Sequence, residues 1–297
     1  MLTTMKEILD RASRENYAVI APNVDNELNA RACIEAAELQ KAPLILDVAA
    51  QSVVDLVFFG KMLTQLAQQS CVPIAINLDH GGNKTDVLKA IQGGFTSVMF
   101  DRSSLSNEQN ITEVKEIVEI AHTAGISVEA ELGHVGQATN YTEDRDAKLT
   151  VPQEAADYIK QTGVDCLAVA IGTAHGAYPR GFTPYLDFDR LRDIKKITGN
   201  FPLVLHGSSG TDDESLRKAC SLGINKVNIA NDLYRAAVVA VKENDFEGNK
   251  AYDVFVSIKK AIIEKMIKVI DLSGSKGKAW TIIPQGLPKG QTKGEEE

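Results

Sequence analysis

The sequence predicts an α/β protein, a (β/α)8 TIM barrel with an extra C-terminal helix. Eight short runs rich in Val, Ile, Leu and Ala recur along the 297 residues, helical patterns separate them, and polar residues gather at the C-terminal ends of the runs. Near-continuous apolar strands suit a parallel sheet buried on both faces, and helical crossovers are how parallel strands are joined. A doubly wound open sheet is the rival fold; no GxGxxG follows the first strand, which weighs against it.

The elements follow in order. YAVIAPN (17–23) is the first strand, with a helix over 29–40; PLILDVA (43–49) is the second, with a helix over 53–69. PIAINLDH (73–80), TSVMFD (96–101) and SVEAELG (127–133) follow, with helices over 85–91 and 107–123 between them. A polar stretch, HVGQATNYTEDRDAKLT (134–150), is longer than most βα connections and reads as an active-site lid or loop. After a helix over 152–162 come CLAVAIG (166–172), PLVLHG (202–207) and KVNIAN (226–231), with helices over 187–198, 212–222 and 232–242. Several helices open on Asp, Asn or Thr, which accept from the orphan N–H groups of a first turn. An amphipathic helix over 247–272 closes the pattern. Residues 1–272 read as one barrel domain with this extension, and 273–297 as a flexible tail in which TIIP (281–284) could dock.

Composition narrows the function. With 44% hydrophobic and 24% charged residues the chain can bury a large core, and a formal charge of −8 argues against a general binder of nucleic acid or anionic membrane. Cys33, Cys71, Cys166 and Cys220 form no CxxC and read as reduced thiols. The first 16 residues lack the apolar core of a signal peptide, and no stretch approaches about 18 uninterrupted apolar residues. The expectation is a cytoplasmic protein with no membrane span.

If the runs are barrel strands, one rim collects Asn23, Asp79 and His80, Asp101, Glu131, His175, His206, Asn228 and Asn231. The C-terminal face of such barrels holds the active site. Three histidines with carboxylates suit a Zn²⁺ site with an open coordination position, so His80, His175 and His206 are the candidate ligands. His122 falls within a helix and reads as a solvated residue, while His134 opens the polar loop. Along the fifth strand, Glu129 and Glu131 face opposite to Val128, Ala130 and Leu132. Two carboxylates turned into a barrel need an ion-pair partner or a metal. HGSSG (206–210) offers backbone N–H groups and hydroxyls for a phosphate, at the usual phosphate position of this fold.

A metal that polarises a carbonyl, a phosphate anchor and the adjacent carboxylate of Asp79 make a retro-aldol site, with Asp79 exchanging a proton with the hydroxyl at the broken bond. The Schiff-base route needs a desolvated lysine at the rim; LAVAIG has none, and Lys226 sits at the other end of its strand.

NLDHGG, SVEAELG, LAVAIGTAHGAY, PLVLHGSSG and the strand of Asn228 resemble the metal-dependent class II ketose-bisphosphate aldolases, the fructose- and tagatose-bisphosphate family, over about residues 5–242. The resemblance implies a lyase (EC 4.1.2.-) that cleaves a ketose 1-phosphate or 1,6-bisphosphate to dihydroxyacetone phosphate (DHAP) and an aldehyde. It implies Asp79 as proton donor and acceptor, and His80, His175 and His206 on catalytic Zn²⁺. Asp101 and Glu131 match carboxylates at a second or alternate metal position. Gly176, Gly207, Ser208, Ser209 and Asn228, Ile229, Ala230 and Asn231 would hold the DHAP end, with Asn23 beside them and a monovalent cation nearby. Gly81 and Asn231 replace a His and a Thr common in the family, VAAQSV (48–53) replaces a Ser-Gly motif, and GHVGQATNYTED replaces an acidic Gly-Gly-Glu cluster. These departures point to a divergent DHG/ELGHVG branch acting on other ketose 1-phosphates, longer or acidic sugars among them. Glu143 would then supply a base from the loop, and Arg180 would meet an anionic aldehyde. The family's dimers and tetramers, and the amphipathic 247–272 helix, imply a homo-oligomer.

Three other readings stand beside this one. A metal-dependent sugar-phosphate epimerase needs the same parts, and a non-catalytic partner of a catalytic barrel needs no ligands, which this chain keeps. A metal-dependent hydrolase expects an HxH after the first strand, absent from YAVIAPNVDN.

Overall fold

The computed structural model describes residues 1–136, 138, 148–179 and 181–281. Eight parallel strands run β1 (Val19–Pro22), β2 (Leu44–Ala49), β3 (Ile74–Gly81), β4 (Ser97–Phe100), β5 (Ser127–Leu132), β6 (Cys166–Val169), β7 (Leu203–Leu205) and β8 (Ile224–Ile229). The helices among the described residues are α1 (Met5–Glu15), α2 (Glu27–Gln40), α3 (Leu56–Gln69), α4 (Lys84–Gln92), α5 (Asn107–Thr123), α6 (Pro152–Thr162), α7 (Phe188–Thr198), α8 (Asp213–Ser221), α9 (Asn231–Glu243) and α10 (Val254–Ser273). The sheet order is β1-β8-β7-β6-β5-β4-β3-β2. A parallel bridge from Asn23 to Asp47, with Val24 N donating to Asp47 O at 2.9 Å, brings its two edges together. The result is a nearly closed (β/α)8 barrel with an added C-terminal helix.

Alternation along the strands sorts the residues. Val128, Ala130 and Leu132 of β5 join the apolar layer between sheet and helices, as do Val227 and Ile229 of β8. Inside the barrel the small residues Ala21, Ala75, Cys166 and Ala168 leave room at the N-terminal mouth. That room is taken by α1, a helix outside the eight strand–helix pairs of the sequence pattern. Thr4 caps it by accepting from Glu7 N, and Met5, Ile8, Leu9 and Ala12 are buried against the inner strand residues. Each large apolar side chain so buried contributes about 1.5–3 kcal/mol. With one mouth plugged by hydrocarbon, polar chemistry is left to the other.

Asn26, Asp55, Asn83, Asp187 and Asp212 each accept from a first-turn N–H, as Asp and Asn at helix starts were expected to, and Ser106 does the same, while α6 and α9 start without a side-chain cap. The helix expected over 247–272 opens as a 3-10 turn, Gly248–Asp253, and becomes α-helical only from Val254. Its Ile262, Met266, Val269 and Ile270 are buried, against α2 and α9 among other elements. Beyond it, Gly277 N and Ala279 N donate to Gln40 O and Lys41 O. Residues 282–297, including most of TIIP, lie outside the described residues. No described helix is long and apolar enough to cross a membrane.

Candidate active site

His80, the next-to-last residue of β3, is in a left-handed conformation, φ 49°, uncommon for a non-glycine residue and held here by its surroundings. The next residue explains how. At Gly81 a Cβ would lie 2.5 Å from the carbonyl oxygen of Met99 on β4, so the glycine lets β3 and β4 close together while His80 turns over the rim. The β3–β4 register shifts between Leu78 and Gly81. The Asp-His-Gly-Gly stretch is thus a strand end bent to present a side chain.

The bend brings His80 to His175 and His206, with ring centroids 4.7 and 4.8 Å away. Ligand atoms of His80, Glu131, His175 and His206 all lie within 4.8 Å of one another. Outer partners assign the tautomers. His80 donates from Nδ1 to Asp101 Oδ2 at 2.8 Å, and His206 donates from Nε2 to Glu129 Oε1 at 2.8 Å. The inner nitrogens, His80 Nε2 and His206 Nδ1, then face each other as acceptors 3.0 Å apart. Only a positive centre, a proton or a metal ion, makes that pair attractive. His175 Nε2 and Glu131 Oε2 are buried without a hydrogen-bond partner, so they leave further lone pairs available. A tetrahedral zinc with Zn–N bonds of about 2.0–2.1 Å separates its nitrogens by about 3.3 Å, against 3.0 Å between His80 Nε2 and His206 Nδ1 and at most 4.8 Å across the group. The donor set fits such an ion.

The electrostatics agree with that reading. Burial works to lower the His80 imidazole, but Asp79 and Asp101 outweigh it and raise it to about 10. Burial together with His206 and His80 pushes His175 down to about 3. Burial, reinforced by Asp101, lifts Glu131 to about 8. Burial also opposes ionisation of Asp79, yet His80, His206 and Lys226 hold its carboxyl at about 2. One positive charge is therefore favoured among the imidazoles, beside an ionised Asp79.

Asp79 stands between this cluster and a small cavity of about 80 Å³. Its Oδ1 is 3.9 Å from His80 Nε2; Asn23 Nδ2 donates to Oδ2 at 2.7 Å and Asn228 Nδ2 to Oδ1 at 3.2 Å. The cavity is lined by both asparagines, Asp79, His175, Gly176, Gly207, Ser208, Ser209, Ala230 and Asn231. Gly207, at φ 62°, has its would-be Cβ 2.5 Å from Ala174 O, so the β7 loop rests on the backbone of the β6 loop. The first turn of α9 opens here with no side-chain cap, and Asp232 N reaches Ser209 Oγ at 3.3 Å. A helix N-terminus without a cap is a natural anion seat.

Some expected residues are placed differently. Asp101 does not join the four-residue group; it orients His80 and accepts from Ser103 N at 2.9 Å. Ile229 points into the layer beneath the helices, because side chains alternate and Asn228 faces the barrel; its carbonyl accepts from Asn23 N at 3.0 Å. His122 is not merely solvated, since Nε2 pairs with Asp165 at 2.8 Å. His134 Nδ1 lies 2.9 Å from Ser103 Oγ and 3.7 Å from Glu131 Oε1. Glu143 and Arg180 lie outside the described residues.

One level below the rim is a set of charges of which the sequence offered Glu129 but not Asp47 or Asn77. Lys226, expected at the far end of its strand, instead stands within β8 and reaches up to Glu129 and Asn228 of the site. Lys226 is fully buried, its ammonium 2.8 Å from Glu129 Oε2 and 3.1 Å from Asp47 Oδ2. Asn77 Nδ2 donates to Asp47 at 2.9 Å. Burial works against the charge on Lys226, but Asp47 and Glu129 raise it well above the ordinary lysine value, so no lone pair is free for a Schiff base. Removing one partner from such a buried pair costs about 3–5 kcal/mol. The signal was present as polar residues at alternate, inward positions: Asp47, Asn77, Glu129 and Lys226.

Fold and site together define a parallel barrel with a metal-type histidine cluster and an anion-sized recess on its C-terminal rim. A family model, Fructose-bisphosphate aldolase class-II, matches residues 3–278. The chain is 39% identical to a "Fructose-bisphosphate aldolase" of Thermus caldophilus, over 94% of this chain and all of that protein. It is 38% identical to the "Uncharacterized protein YdjI" of Escherichia coli K12, with the same coverage. The crystal structure of the YdjI aldolase from Escherichia coli K12 superposes with a TM-score of 0.84 at 35% identity, covering 94% of this chain and all of that one. A putative fructose-1,6-bisphosphate aldolase structure from Coccidioides immitis gives 0.82 at 28% identity, covering 92% and 97%. The chain belongs to the class II fructose-bisphosphate aldolase family, a family of lyases that is typically metal-dependent.

Proposed function

We propose that the protein is a zinc-dependent aldolase that reversibly cleaves a ketose 1-phosphate or 1,6-bisphosphate to DHAP and an aldehyde. The observation that carries this reading is the position of Asp79, a buried carboxylate held ionised between the imidazole cluster and the recess. His80, His175 and His206 hold the ion, with Glu131 as a further or alternate ligand. When bound, it supplies a Lewis acid for the substrate's carbonyl.

The protein's own groups do the rest. Gly176, Gly207, Ser208, Ser209 and the start of α9 at Asn231 seat the phosphate, with a monovalent cation beside it. Asn228 and Asn23 aim the Asp79 carboxylate, which takes the proton from the hydroxyl at the bond that breaks and returns it in the condensation direction. In that reading the aldehyde end extends toward the loop containing Glu143 and toward Arg180, and the aldehyde need not be glyceraldehyde 3-phosphate.

The test is a coupled assay for DHAP release across fructose and tagatose bisphosphates, longer ketose 1-phosphates and acidic ones. Release from at least one supports the reading; epimerisation without cleavage contradicts it. The working form is a cytoplasmic homodimer or homotetramer that contacts neither membrane nor nucleic acid. Tyr234, Val238, Val239 and Val241 of α9 and Phe255 and Val256 of α10 are exposed, and light scattering of the purified chain reads the copy number.

A further inference from the structure

The buried ammonium of Lys226 donates to two acceptors, Glu129 Oε2 at 2.8 Å and Asn228 Oδ1 at 2.8 Å, and forms an ion pair with Asp47 Oδ2 at 3.1 Å. Two of these lead directly into the site. Glu129 has spent Oε2 on Lys226 and turns Oε1 to His206 Nε2, which must carry the hydrogen. That leaves His206 Nδ1 as a lone pair facing His80. On the other branch, an ammonium can only donate, so the Asn228 amide must face it with oxygen. Its Nδ2 then faces Asp79, to whose Oδ1 it donates at 3.2 Å. Turned over, the same amide would set oxygen against carboxylate and nitrogen against ammonium, unfavourable at both ends.

We propose that Lys226 is a positioning residue for both halves of the site, setting the tautomer of His206 through Glu129 and the end of the Asn228 amide that faces Asp79. Asp47 pairs with the ammonium but contacts neither Glu129 nor Asn228 directly; its Oδ1 accepts at 2.9 Å from Asn77 Nδ2, which reaches Glu129 Oε2 only at 3.5 Å. A neutral side chain at 226 leaves Glu129 free to swing off His206 and the amide of Asn228 free to turn. Partners of metal-bound imidazoles that are lost in this way typically weaken metal binding by about 10–100-fold. This inference rests on the metal reading of His80, His175 and His206 given above.

The experiment titrates the chelator-stripped full chain with Zn²⁺ against a chromophoric chelator, for the unaltered protein, Lys226→Met and Asp47→Asn. Nitrogen NMR of labelled histidine follows the His206 tautomer in each. Lys226→Met is expected to bind zinc about 10–100-fold more weakly and to lose the single Nε2–H tautomer of His206. Asp47→Asn is expected to stay within about threefold and keep that tautomer, because both branches survive. Should Lys226→Met not fold, Glu129→Gln cuts the same branch one link later and is expected to weaken zinc similarly. Unchanged affinity in the variant that folds, or an equal loss in Asp47→Asn, overturns the proposal. Failure of the unaltered chain to bind zinc overturns the metal reading instead.

Discussion

Asp101 and His80 form the outer half of the metal-type cluster: the Asp101 carboxylate takes the Nδ1 hydrogen at 2.8 Å and so turns Nε2 inward. Asp101→Ala removes that acceptor without touching the grouped atoms. Zinc affinity is expected to fall by about 10–100-fold, read by competition with a chelator. Unchanged affinity would show that the strand bend alone orients the ring.

Asp79 is expected to be essential to turnover and dispensable for the metal, because it is not among the four residues whose ligand atoms converge. Asp79→Ala should lower kcat by about 10²–10⁴, the usual range for a lost general acid or base. Zinc per chain, measured by atomic emission, should stay at the unaltered value. Loss of metal along with activity would assign Asp79 to the ligand set.

Gly81 and Gly207 hold the two loops that build the rim. An added Cβ meets the backbone of Met99 or Ala174 at 2.5 Å, and at Gly207 the φ of 62° adds strain. Gly81→Ala and Gly207→Ala should each destabilise the fold by about 1–3 kcal/mol, as overpacking does. Urea denaturation checks the stability. The first should also weaken zinc binding through His80, and the second should raise KM for the phosphorylated substrate.

Lys195 supplies the pH prediction. Its ammonium donates to Ser13 Oγ, Phe201 O and Asn225 Oδ1, with no carboxylate among these partners, and burial lowers it from 10.5 to about 8. Between pH 8 and 10.5 the unfolded chain therefore binds more protons at this site than the folded one, so its contribution to stability increases as pH rises. Lys195→Met should remove that increment, seen as a smaller difference in urea midpoint between pH 7.5 and 10.

Much of this was legible because barrel chemistry sits where strands end. Asp79, His80, His175 and His206 each follow an apolar run, and that position alone puts them on one rim. Glu129 and Glu131 were readable by alternation, and the outward turn of Ile229 follows from the same rule. The network beneath was less legible: Asp47 and Asn77 lie inside apolar runs and Lys226 heads one, and nothing local says which face is the barrel interior until all eight strands are set together. Helix α1 was hidden for another reason, since Met5, Ile8, Leu9 and Ala12 form a short amphipathic face whose partner is the barrel mouth rather than a neighbouring helix. The role of Asp101 required the distance to His80 Nδ1, which spacing does not supply.

The central claim, that an ion held by His80, His175 and His206 works with Asp79 to split a phosphorylated ketose, is tested most directly by metal removal. DHAP release is measured with the chelator-stripped chain before and after adding one equivalent of Zn²⁺. Cleavage should vanish on stripping and return with the zinc; undiminished cleavage by the metal-free chain would contradict the claim.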